Sequence, residues 1–224
     1  MGVDRNVRDV RRRIAAACDR AGRSPDEVTL VVVTKNVAVP SIEAAYNAGV
    51  RHFGENRVQE AVPKVERFAR LRPAITWHMV GHLQTNKAKT AVDVFDIIHS
   101  VDSVRLAEAL SRRSRRKLPV LIEVNIAGEA SKGGFSPSAT AGAVQAIARL
   151  RNIEVGGLMT VAPWVDDPAE VRPVFRRLRQ LRDALGLSHL SMGMTDDFEV
   201  AVEEGATMVR IGRAIFGERP SPGG

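Results

Sequence analysis

The feature that most constrains this chain is a side-chain period that switches back and forth along its whole length. Short β-branched runs, in which alternate side chains face opposite ways, are followed by longer stretches with apolar residues at helical spacing. The runs predict strands at residues 28–34, 51–53, 75–80, 95–101, 120–126, 154–159, 190–193 and 208–211. Helices are predicted near residues 41–48, 57–70, 85–91, 103–116, 138–150, 168–185 and 196–204. A further helix, residues 3–21, precedes the first strand, and Gly22 is its stop signal.

Strands that alternate with helices form parallel βαβ units. An open doubly wound sheet usually holds about five or six strands, so eight favour closure into a (β/α)₈ TIM barrel with the N-terminal helix outside it. A chain of 224 residues suits one such domain, assigned to residues 1–217. The polar, Pro- and Gly-rich stretch 218–224 is expected to be a disordered tail. Aromatics are only 4% of the chain, so the core must be built from Val, Leu, Ile and Ala.

Composition narrows the function. Cys18 is the only cysteine, which rules out an intrachain disulfide and fits a reducing cytoplasm. The N-terminus lacks the apolar core of a signal peptide, and no apolar run approaches the ~18 residues of a membrane span. A net charge of +7 favours anionic partners, among which a phosphorylated small molecule fits as well as a nucleic acid. The densest basic run is Arg112, Arg113, Arg115, Arg116 and Lys117. It ends a predicted helix, where cations favour the dipole, and reads as a solvated terminus. No nucleic-acid, Walker, dinucleotide or nucleophile-elbow motif is present.

Barrel active sites lie where strands end. Seven such junctions here carry polar residues: Thr34-Lys35-Asn36, Gly54-Glu55-Asn56, His78 with Gly81, His82 and Gln84, Glu123 with Asn125, Met159-Thr160, Ser191 with Gly193 and Thr195, and Arg210 with Gly212. Lys35 directly follows Val31, Val32 and Val33. An ammonium held there is partly desolvated, which makes a better amine nucleophile, able to condense with an aldehyde. The competing reading is a lysine that snorkels to solvent. Thr195 and the backbone around Gly212 lie in the loops that often bind phosphate in such barrels; the alternative is that the glycines serve tight turns. Arg210 would point inward beside a planar ring, where an arginine disfavours protonation of a pyridine nitrogen; the alternative is an ion pair with Glu203 or another carboxylate. His78 and His82 span a strand-to-loop crossing, and His52, His99 and His189 have no nearby ligand pair, so no metal site is expected.

Several stretches together resemble the pyridoxal phosphate homeostasis proteins, which are similar to the barrel domain of alanine racemases. They are residues 31–35, 52–60, 77–87, 124–132, 157–160, 190–197, 209–212 and 214–217, so the resemblance runs over nearly the whole chain. It implies pyridoxal 5′-phosphate (PLP) held as an aldimine on Lys35, Arg210 facing the pyridine nitrogen, Thr195 and Gly212 at the phosphate, and Asn56 and Met192 close to the cofactor. Many relatives have Ser at the position of Thr195 and Gln at that of Glu123. A racemase carries a phosphate-holding tyrosine shortly after its lysine, absent from Asn36-Val37-Ala38-Val39. It also takes a second catalytic base from a C-terminal β-domain, for which no room is expected before Gly224. The resemblance therefore implies a monomeric, cytoplasmic protein that buffers or delivers PLP, with PLP-dependent apo-enzymes as partners, no membrane or nucleic acid, and no catalytic residue of its own. The alternative is an amino-acid racemase of weak activity.

Overall fold

The computed structural model describes residues 2–129 and 132–217; the expected tail at 218–224 lies outside them. Eight strands pair in chain order, all parallel: β1 (Thr29–Val33), β2 (His52–Glu55), β3 (Thr76–Met79), β4 (Ile97–Val101), β5 (Leu118–Glu123), β6 (Ile153–Met159), β7 (His189–Ser191) and β8 (Met208–Ile211). The last closes on the first, with Val31 opposite Arg210 and Val32 opposite Ile211. The barrel expected from the period count is therefore present.

The helices are α1 (Val3–Arg20), α2 (Val39–Asn47), α3 (Val58–Arg67), α4 (Ala88–Val94), α5 (Val104–Arg113), α6 (Pro137–Ala148), α7 (Arg172–Ala184), α8 (Phe198–Glu203) and α9 (Arg213–Phe216). Ser103 and Ser136 cap α5 and α6 by accepting the N–H groups of Leu106 and Ala139. Outside the barrel, α1 buries Val7, Val10, Ile14, Ala17 and Cys18 against α2, α8 and α9.

Boundaries differ from the sequence reading where loops take over. The fifth strand stops at Glu123 rather than 126, because the chain turns back so that Phe135 bonds to Glu123 and Asn125. The seventh stops at Ser191, and Gly193 turns the chain at φ +94°. The helix predicted over 57–70 ends at Arg67, followed by a 3₁₀ turn, Ala69–Ala74. That predicted over 85–91 is a 3₁₀ turn, Thr85–Lys87, leading into α4.

Strand alternation divides the apolar residues into two layers. The larger lies between sheet and helices and holds Val32, Phe53, Trp77, Leu158, Leu190, Met192, Val209 and Ile211. The smaller fills the barrel interior with Val31, Leu121, Met159 and Met208. Each fully buried Val or Leu contributes about 1.5–3 kcal/mol. The interior is not wholly apolar: His78, His99, Ser191 and Arg210 are also buried.

Candidate functional site

At the C-terminal ends of the strands lies a cavity of about 710 Å³, within the range of small-molecule sites. Lys35, Asn56, Thr195, Arg210 and Gly212 all line it, beside the apolar Val33, Met159 and Val161. These sequence-predicted residues come from the loops after the first, second, seventh and eighth strands and, for Arg210, from the eighth strand itself, and the barrel brings them together.

The ends of β1 and β2 are tied by a buried group. Lys64 of α3 donates to the Thr34 carbonyl and to Glu55 Oε1, each at 2.7 Å, and the Thr34 hydroxyl meets the same carboxylate oxygen. Burial pushes the Glu55 carboxyl up, while Lys64 and Thr34 pull it back. Thr34 and Glu55 immediately precede Lys35 and Asn56, so the clamp fixes where both site residues leave their strands. Asn36 then takes a left-handed conformation (φ 56°), and its N–H donates to Glu60 Oε2 at 3.2 Å.

Lys35 is half-buried, and its amine has no hydrogen-bond or ion-pair partner among the described residues. Arg210 is only 5% exposed. It donates to Ser191 Oγ at 2.6 Å and to the Thr160 carbonyl at 2.9 Å. The alternative of an ion pair is not found: Glu203 pairs with Arg20 and Arg172 instead, and no other carboxylate among the described residues lies at ion-pair distance from Arg210. Burial lowers the Arg210 guanidinium to about 10, partly offset by Asp197 and Glu123, so it is cationic at neutral pH. The loops after β7 and β8 meet where the Ala214 N–H approaches Thr195 Oγ1 at 3.4 Å and Arg213 pairs with Asp196. Asp197 Oδ1 accepts the Met194 N–H at 2.6 Å and holds the first of these loops.

The donor set fits a planar aldehyde that carries an anion. One free amine, one fixed cation, a hydroxyl beside backbone amides and an apolar wall share a single cavity. The alanine racemase N-terminal domain family matches residues 6–220. A pyridoxal phosphate homeostasis protein of Aquifex aeolicus is 45% identical over 92% of this chain and 94% of its own. One from Pseudomonas aeruginosa is 40% identical over 97% and 96%. This chain belongs to the pyridoxal phosphate homeostasis protein family.

Solved structures agree. The PipY protein of Synechococcus elongatus, determined with PLP bound, is 38% identical and superposes with a TM-score of 0.80 over 91% of this chain and 100% of its own. An alanine racemase of Clostridium difficile, 13% identical with a TM-score of 0.73, shares the fold; this chain spans 57% of it.

Within this site some expectations change place. Met192 is fully buried in the layer between sheet and helices, because strand alternation turns it away from the barrel; its neighbour Ser191 points inward instead. Asn125 is spent on its own loop: its Oδ1 accepts the Gly128 N–H and its Nδ2 donates to the Glu129 carbonyl. The Thr160 hydroxyl donates to the Val124 carbonyl at 2.7 Å. Burial and nearby Asp102 raise the Glu123 carboxyl in the cavity wall. His82 lines the cavity and pairs through Nδ1 with Asp102 Oδ2 at 3.1 Å. Asp102 was not anticipated, although its place directly after β4 is the signal that could have found it.

The histidines also depart from expectation. His52 Nδ1 lies 3.0 Å from His78 Nε2, His78 Nδ1 lies 2.8 Å from His99 Nε2, and His99 Nδ1 lies 2.8 Å from Ser191 Oγ. His52 and His99, read as having no nearby partner, thus form a chain with His78 inside the barrel. No group of three His, Cys, Asp or Glu among the described residues is arranged to hold a metal ion, and no helix among them is long and apolar enough to cross a membrane.

Proposed function

We propose that this protein binds PLP in the cavity at the strand ends, covalently through a Schiff base on Lys35, and holds and hands on the cofactor with little turnover of its own. The observation that carries this is the unpartnered Lys35 amine sharing one cavity with the buried Arg210 cation. Relatives named as homeostasis proteins, and a related structure with PLP bound, support it.

When bound, the cofactor supplies an electron-withdrawing ring conjugated to an imine. Thr195 Oγ1 and the backbone at Gly212 bind the phosphate, with Arg213 beside them. Val33, Met159 and Val161 exclude water from the ring, and Asn56 borders it. Arg210 keeps a positive charge against the pyridine nitrogen and so disfavours its protonation, which limits carbanion chemistry. The protein acts as a cytoplasmic monomer, a setting that the single buried Cys18 fits, and PLP-dependent apo-enzymes are the recipients of its cofactor.

The test is spectroscopic. The protein mixed with PLP should absorb in the visible, and borohydride should fix the cofactor on the peptide containing Lys35. Labelling of Lys87, Lys89 or Lys132 with Lys35 untouched overturns the assignment.

A second reading, weak amino-acid racemase activity, is favoured by His82, which lines the cavity and pairs with Asp102 behind it. Robust turnover abolished by both Lys35→Ala and His82→Ala would establish it over the homeostasis role.

A further inference from the structure

Arg210 is a buried cation with no carboxylate at ion-pair distance among the described residues; Asp197 and Glu123 act on it only from further away. A buried charge ordinarily has a counter-ion. Here it meets a chain of neutral groups: Ser191, then His99, then His78, then His52.

The chain can run in a single direction throughout. A neutral imidazole carries one N–H and one lone pair. His78 and His99 each spend both ring nitrogens inside the chain, so turning one hydrogen bond requires turning its neighbours. Burial keeps both in the neutral form: His78 falls to about 3, and His99 lies well below its ordinary value, with His78, Arg210 and His189 adding to the effect. A guanidinium only donates, so Ser191 Oγ accepts from Arg210, and its own proton is free for His99 Nδ1. With that proton directed at the His99 Nδ1 lone pair, His99 would donate from Nε2 to His78 Nδ1, and His78 from Nε2 to His52 Nδ1. Every X–H bond points away from Arg210, and every lone pair points toward it.

We propose that Ser191, His99, His78 and His52 are positioning residues that hold the Arg210 charge against the cofactor's ring nitrogen through a one-way hydrogen-bonded chain in place of a carboxylate. Aligned dipoles in a low-dielectric interior reinforce one another. They stabilise the guanidinium without bringing an anion near the ring nitrogen, where an anion would favour the proton that Arg210 opposes. This role presupposes PLP in the cavity; the polarity of the chain does not.

Two measurements test it. Long-range ¹⁵N–¹H correlation spectra of the cofactor-free protein should show His78 and His99 as Nε2–H tautomers that do not titrate between about pH 5.5 and 8. An Nδ1–H tautomer, or a doubly protonated ring, at either residue overturns the proposal. In the PLP-loaded protein, Ser191→Ala should shift the pH transition of the cofactor's absorption upward by about one unit, a tenfold change in proton affinity. Ser191→Thr, which keeps the hydroxyl, should restore it. A transition unmoved in Ser191→Ala, in a variant that melts like the wild type, removes the positioning role. If the wild type shows no visible band at all, the PLP reading fails, and the tautomer spectra still decide the chain.

Discussion

Lys64 reaches Glu55 at 2.7 Å with both side chains shut away from solvent, and the same ammonium holds the Thr34 carbonyl at 2.7 Å. One buried cation thereby fixes the two strand ends that lead into Lys35 and Asn56. Removing one partner of such a pair strands the other charge. Lys64→Met should cost about 3–5 kcal/mol of stability, and adding Glu55→Gln should recover much of it. Urea unfolding of the two variants checks this. The single variant should also bind PLP more weakly, since the amine of Lys35 loses its fixed origin.

Gly81 packs where no side chain fits. A Cβ there would lie 2.4 Å from the Asn56 carbonyl oxygen and 2.7 Å from its Cα, both backbone atoms that must move. Gly81→Ala should displace Asn56 from the cavity wall and weaken PLP binding about tenfold, ~1.4 kcal/mol. Equilibrium titration followed by absorbance measures it; unchanged affinity would show that Asn56 does not touch the cofactor.

Thr195 should matter through its hydroxyl. Thr195→Ser should bind PLP nearly as the wild type does, whereas Thr195→Val should lose roughly tenfold in affinity, near the ~1.5 kcal/mol expected for a hydrogen bond to a charged group. Gly212→Val should weaken binding as well, by crowding the phosphate's approach. Equal affinities for Thr195→Ser and Thr195→Val would move the phosphate site elsewhere.

Stability should fall in mild acid. His52, His78 and His99 all titrate below their ordinary value in the fold, His78 at about 3, chiefly through burial. Below about pH 6.5 the unfolded chain binds protons that the native imidazoles refuse, so the stability they contribute is complete above that pH and is lost as pH falls toward 3. Each histidine adds up to ~1.4 kcal/mol per pH unit. Glu55, Glu123 and Asp197 have raised values, chiefly through burial, and act in the opposite sense. The urea midpoint should therefore drop clearly between about pH 7 and 5.5. A midpoint that stays level would mean that the rings are protonated inside the barrel.

What the sequence by itself determined was whatever depends on local order along the chain. The β-branched runs and helical spacings counted out eight units, and eight parallel units close. A lysine just past Val33 and an arginine inside the last strand were legible as residues of the cavity because strand ends are local features. The tertiary structure decided the rest. Met192 and Ser191 differ by one residue, and only the position of the real strand ends shows which of them faces inward. Lys64, which nothing in the sequence singles out, is the buried partner of Glu55 once α3 lies across β2. His52, His78 and His99 are 26 and 21 residues apart, and His99 is 92 residues from Ser191. Each strand carries one inward-facing imidazole with nothing beside it in sequence to mark it. Barrel closure and the stagger of its strands set them at hydrogen-bond distance, because the spacing between neighbouring strands is fixed by the backbone ladder and not by the residues that the ladder brings together.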